Sequence, residues 1–178
     1  MSRLSTQDAA GATGPAATLY ANIKRGMGMV PNAYAVIGSN SPLALEAALG
    51  LDAALTKSSL SPKDIEAVRL AVSESSGCDY CLAAHTFVSK KIGISGDAVL
   101  GLRHGNPSGD ARLDAISGFA RLLVTTSGTV PAEAVSAVKQ AGVSDQQIVD
   151  ILLAITSITF TNLVNRVNDT PIDFPPAD

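Results

Sequence analysis

The stretch Glu74-Ser-Ser-Gly-Cys78-Asp-Tyr-Cys81-Leu-Ala-Ala-His85 holds both cysteines of the chain and one of its two histidines. With the segment from Asp79 onward read as a helix at about 100° per residue, Cys78, Cys81 and His85 fall within an arc of about 60° and share one face. Gly77 interrupts the preceding helical pattern, so the C-x-x-C pair opens a new helix. Unpaired backbone N–H groups and the positive end of the helix dipole favour an anion there. A thiolate is such an anion, and this is a setting in which a cysteine pKa falls below its free value of about 8.5. His85, four residues beyond Cys81, can take a thiol proton directly or through one water, and a carboxylate such as Glu74 can orient the imidazole and raise its basicity. Nucleophile, base and orienting group are all present, and the chemistry they suit is redox chemistry.

The elements that must position these residues are helices. A first helix is predicted from about Pro15 to Arg25, ended by Gly26, Gly28 and Pro31. Ser41-Pro42 reads as an N-cap followed by proline at the first helical position, opening a helix to about Lys57, and Ser61-Pro62 opens the next in the same manner. That second helix delivers Glu74 near its end. The site helix runs from Asp79 to about Ile92 and stops at Gly93. Further helices are expected from Ser95 to Leu102, Asp110 to Thr126, Pro131 to Ala141 and Ser144 to Val167, the last with a Ser144/Gln147 capping-box pattern. Residues 1–13 read as flexible, and residues 169–178, with three prolines, as an extended tail. Setting Ser61 on Ser144, an offset of 83 residues, aligns Ile65 with Ile148, Leu70 with Leu153 and Ala71 with Ala154, an echo that fits an internal helical repeat. In the second copy Cys78, Cys81 and His85 correspond to Thr161, Val164 and Asn168, so only the first could carry thiol chemistry.

The 178 residues fit a single domain with a substantial core of its own. They are 46% hydrophobic, 4% aromatic and without tryptophan, a mix that favours closely packed helices and an all-α fold. A net charge of −3 with scattered basic residues gives no footprint for nucleic acid or an anionic membrane. No signal-like segment opens the chain, and no later apolar run reads as a membrane span, so the expected setting is cytoplasmic. In a reducing compartment two cysteines at this spacing are more often catalytic or metal-binding than structural. Three plainer readings stand beside the redox site: buried cysteines acting as small hydrophobes, zinc held by Cys78, Cys81, His85 and Glu74, and Glu74 as a solvated helix residue. His104 reads as a surface histidine in a Gly/Pro turn. Asn162 and Asn165 share a face of the last helix, suited to a pocket, an oligomer interface or core hydrogen bonding.

At Glu74, Cys78, Cys81 and His85 the chain resembles the AhpD-like alkylhydroperoxidase branch of the carboxymuconolactone decarboxylase family, through the pattern E-x-x-x-C-x-x-C-x-x-x-H. The likeness extends to Val30-Pro-Asn-Ala-Tyr34 and Leu60-Ser-Pro-Lys-Asp-Ile65. It implies an AhpD-like multi-helix bundle, a homo-oligomer, no cofactor, and a thiol-dependent peroxidase acting on alkyl hydroperoxides. In that reading Cys81 is the peroxidatic thiol and Cys78 the resolving one, His85 relays the proton, and Glu74 orients or activates His85. An external dithiol or disulfide reductase then reopens the disulfide. The residues themselves leave the order of the thiols open, because the first cysteine of a C-x-x-C at a helix start is commonly the more exposed and acidic. The i, i+4 relation of Cys81 to His85 favours the family order. A thiol-disulfide exchange protein without peroxidase activity and a zinc-binding helical module are the rival functions; decarboxylation is disfavoured.

Overall fold

The computed structural model describes residues 2–177. Nine α-helices follow a short 3-10 turn over Ala9–Gly11, and no strand occurs among the described residues. They are α1 Gly14–Met27, α2 Asn32–Asn40, α3 Pro42–Thr56, α4 Pro62–Ser76, α5 Asp79–Lys91, α6 Gly96–His104, α7 Ala111–Thr125, α8 Ala132–Gln140 and α9 Asp145–Asn168. The all-α expectation holds, and eight of the nine helices fall where the sequence places them.

The helix starts follow local chemistry. Ser41, Ser61, Ser95 and Ser144 each accept a backbone N–H of the first turn on their hydroxyl. At α4 and α9 the device is reciprocal, with the side chains of Asp64 and Gln147 reaching back to the cap N–H. α4 is the hub of the bundle, packing against α5, α6, α7 and α9. Accordingly Ala67, Val68, Leu70 and Ala71 are fully buried on it.

Three features depart from the sequence reading. The first is α2, where no helix is predicted between the end of the first helix at Pro31 and the cap at Ser41. Tertiary contact overrides local propensity there. Tyr20 of α1 donates its hydroxyl to the Ala35 carbonyl at 2.7 Å, and a Cβ on Gly38 would stand 2.6 Å from the same hydroxyl, so the glycine makes room for the ring. The second is the N-terminal segment, which is tied down by bonds from Arg3 N to Asn168 O at 2.9 Å and from Leu4 N to Asn168 Oδ1 at 2.8 Å. The third is α9, 24 residues long with a mean hydropathy of 1.6 over its most apolar 18, long and apolar enough to cross a membrane. Its packed side carries Asn162, Asn165 and Asn168, all buried against the bundle, while Val149, Leu152, Leu163 and Val167 of the same helix are exposed.

The tail beyond α9 is extended, as its prolines require, but it is not idle. Asp173 accepts the Asn32 N–H at 2.8 Å at the start of α2 and the Tyr80 hydroxyl at 2.7 Å, and Phe174 packs edge-on against Tyr80 with ring centroids 5.8 Å apart. The tail thereby covers one side of α5.

Candidate functional site

The break between α4 and α5 makes the site. Gly77 ends α4 in the left-handed region at φ 62°, a conformation glycine takes without penalty. The chain turns there, and Cys78 becomes the N-cap of α5, its sulfur accepting the Cys81 N–H at 3.4 Å. One turn on, the Cys81 sulfur lies 2.6 Å from that of Cys78, and both residues are buried. Its contact with the Cys81 sulfur holds the Cys78 thiol below its ordinary value; burial opposes this and the Cys81 N–H adds to it. Cys81 is pushed in the other direction, first by that same contact and then by burial, while Asn165 and Thr161 of α9 counter in part.

Asn165 reaches across from α9 and donates its Nδ2 N–H to the Cys81 sulfur at 3.3 Å. Its Oδ1 is buried without a hydrogen-bond partner. Cys81, Ala84, His85 and Val88 of α5 line a cavity of about 140 Å³ together with Tyr34, Arg69, Asn165 and Phe174.

The carboxylate on His85 is Glu66, and this corrects the expectation for Glu74. Glu66 Oε2 lies 2.9 Å from His85 Nδ1, whereas Glu74 accepts Arg103 Nε at 2.8 Å and stands 3.9 Å from His104 Nε2, on the α6 side of α4. The reason is the chain reversal at Gly77. His85 sits two turns into α5, so it comes level with a residue well back along α4 rather than with one just before the turn. Glu74 lies too close to the reversal. His104, read as a surface histidine, is exposed and stands beside Glu74.

Glu66 is 3% exposed. Burial would raise its carboxyl, but His85 and Arg69 outweigh that and hold it below the usual carboxylate value. Arg69 clamps Glu66 Oε1 at 3.0 Å and Asp52 Oδ1 at 2.7 Å, and Asp52 in turn accepts the Tyr34 hydroxyl at 3.0 Å and the Ser157 hydroxyl at 2.9 Å. The chain of contacts runs from His85 through Glu66, Arg69 and Asp52 to Tyr34, and both its ends line the same cavity. With Nδ1 engaged, Nε2 is the ring nitrogen left for proton traffic.

Sequence reasoning brought Cys78, Cys81 and His85 to one place and missed Glu66, Arg69, Asp52 and Phe174. The i, i+3 spacing of Glu66 and Arg69 was the available signal for an ion pair; nothing local marked Phe174. Among the described residues no group of three or more His, Cys, Asp and Glu side chains is arranged to hold a metal ion, and Glu74, one of the four zinc ligands considered, lies with Arg103.

Residues 42–105 match the sequence model of the carboxymuconolactone decarboxylase family. No curated protein matches the chain. Among solved structures, the fold is similar to that of an alkylhydroperoxidase AhpD core, a peroxidase-related protein from Ralstonia eutropha JMP134. The TM-score is 0.83 at 18% identity, over 97% of this chain and 92% of that one. A peroxidase-related protein from Silicibacter sp. TM1040 superposes with a TM-score of 0.77 at 21% identity, over 95% of this chain and 89% of that one. The debrominase Bmp8, in a complex of a cysteine-to-alanine variant with 2,3,4-tribromopyrrole, gives 0.80 at 16% identity over 97% and 92%. Residues 42–105, which include both thiols and His85, thus match the carboxymuconolactone decarboxylase family model, within a chain whose helical fold is similar to that of an AhpD core.

Proposed function

We propose that the protein is a thiol-dependent peroxidase that reduces organic hydroperoxides through the Cys78–Cys81 couple. The observation that carries this reading is the shared cavity: Cys81 and His85 line it together, with a buried glutamate fixing the imidazole behind them. Cys78 does not line that cavity, which favours Cys81 as the attacking sulfur although Cys78 is the more acidic partner.

The steps balance as follows. The Cys81 proton passes to the His85 ring, and the Cys81 thiolate, supported by the Asn165 N–H, attacks the terminal oxygen of the hydroperoxide. The O–O bond breaks, the alkoxide leaves with a proton delivered by the His85 ring, and Cys81 becomes a sulfenic acid. The Cys78 thiol then displaces hydroxide from that sulfur, its proton leaving with the oxygen as water, and a disulfide forms. A dithiol returns two electrons and two protons to complete the cycle. The apolar wall of Ala84, Val88 and Phe174 suits a small alkyl or aryl group on the substrate.

The test is the rate at which reduced protein loses thiols to one equivalent of organic hydroperoxide, followed by intact mass against free cysteine at the same pH. Loss much faster than free cysteine, ending in an intramolecular disulfide that a dithiol reverses, is the expected result. Loss at the free-cysteine rate with ready dithiol exchange would instead give a disulfide-exchange protein. Selective reaction with a bromopyrrole would give a debrominase, as one protein of similar fold is described.

A further inference from the structure

A second cavity, of about 430 Å³, lies on the other side of the thiol pair. Gly77, Cys78, Asp79 and Tyr80 form one wall, Asn165 and Arg166 of α9 another, and residues 169–172 of the tail the rim. The two cavities divide the cysteines between them. Cys81 lines the smaller one and not the larger, Cys78 lines the larger one and not the smaller, and Tyr80 and Asn165 are the residues they have in common. Both partition residues are held: Tyr80 accepts the Ala33 N–H at 3.2 Å and donates to Asp173, and Asn165 is bonded to the Cys81 sulfur.

From this partition we infer that the site has two doors, with hydroperoxide reaching Cys81 through the small apolar cavity and the reducing dithiol reaching Cys78 through the groove rimmed by residues 169–172. The inference rests on the peroxidase reading for its first door only. Thiol-disulfide exchange proceeds by attack of a thiolate on a disulfide sulfur, in line with the bond that breaks. Attack on Cys78 must therefore come from a side away from Cys81, and the groove that touches Cys78 alone offers that approach. The first thiolate of the dithiol bonds to the Cys78 sulfur and the Cys78–Cys81 bond breaks, releasing Cys81 as a thiolate beside Asn165 and in the cavity of His85. The second sulfur of the dithiol, on losing its proton, then attacks the first, closes a disulfide on the reductant and expels the Cys78 thiolate. That departure is eased by the position of Cys78 at the helix N-terminus, which stabilises its anion. The order leaves Cys81, the sulfur needed next, already on the substrate side. The groove is three times the volume of the peroxide cavity (430 against 140 Å³), in keeping with a reductant bulkier than the oxidant.

The two half-reactions are separable, and each door has an exposed residue to plug. Ile172 is 49% exposed on the rim of the groove and Met27 is 51% exposed on the rim of the small cavity. The disulfide is made with diamide, which needs no peroxidase activity, and its reduction by dithiothreitol is timed by mass in wild type, Ile172→Trp, Ile172→Ala and Met27→Trp. Oxidation of the reduced proteins by one equivalent of organic hydroperoxide is timed separately. Ile172→Trp is expected to slow reduction by about tenfold while leaving oxidation within about twofold, Ile172→Ala to reduce at least as fast as wild type, and Met27→Trp to show the opposite split. Wild-type reduction in Ile172→Trp, or reduction slowed by Met27→Trp instead, would overturn the assignment. Failure of hydroperoxide to oxidise even the wild type would overturn the peroxidase reading, while the diamide arm would still decide which door the dithiol uses.

Discussion

The α4–α5 hairpin and the long helix α9 start from the same device, a serine cap closed reciprocally by the third residue of the helix, and then part company. At an offset of 83 residues Gly77 corresponds to Phe160 and Cys78 to Thr161. The glycine turns the first helix off after 15 residues; the phenylalanine lets the second run on to 24. At the break, the freed Cys81 N–H meets the Cys78 sulfur. In the unbroken helix the Thr161 hydroxyl donates to the Ile158 carbonyl one turn back, and no helix start exists to stabilise an anion. Reactive thiols need the helix end, and the wall that holds them needs the continuous helix. α9 supplies that wall through Thr161 and Asn165, which face the cavity that Cys81 lines.

Breaking the reactive side of this comparison should have the largest effect. Cys81→Ser is expected to abolish hydroperoxide-driven disulfide formation, with thermal unfolding close to wild type because the hydroxyl keeps nearly the same shape. Mass spectrometry of the hydroperoxide-treated variant checks it.

The next largest effect separates the two glutamates of α4. Glu66→Gln removes the carboxylate that holds His85 and should slow thiol oxidation on the order of 10²-fold, whereas Glu74→Gln should leave it within about twofold. Glu66 is also a source of acid sensitivity. Its folded pKa lies below the ordinary value of 4.5, so its stabilisation is complete above that pH and is lost as the pH falls through the lower folded value. Urea unfolding from pH 7 to pH 3 should show this acid limb in wild type and a shallower one in Glu66→Gln, which starts about 3 kcal/mol less stable because Arg69 loses its buried partner.

The smallest effect concerns the break itself. A Cβ on Gly77 would meet nothing within 4 Å, so Gly77→Ala costs only the left-handed conformation, about 1–2 kcal/mol. Gly77→Asn should cost less, since asparagine tolerates that region. Urea midpoints rank the three proteins.

How far the sequence leads follows from which signals are local. Serine caps, proline at first helical positions and the glycine before Cys78 all act over a few residues, so the helix order and the thiol face could be read directly. α2 could not, because its helix is settled by Tyr20 and Gly38 packing together from different elements. The carboxylate behind His85 was misplaced for the same kind of reason. Proximity in sequence favoured Glu74, but reversal at Gly77 brings Glu66 opposite the imidazole and turns Glu74 toward Arg103. The contribution of Phe174 to the cavity depends on where an irregular tail docks, and no periodic pattern encodes that.

The most direct test of the account uses Cys78→Ser, in which a sulfenic acid at Cys81 cannot be resolved. The reduced variant is mixed with one equivalent of organic hydroperoxide and dimedone and analysed by peptide mapping. The account predicts one dimedone adduct, on Cys81, formed much faster than on free cysteine. An unmodified Cys81, or modification no faster than that of free cysteine, would contradict it.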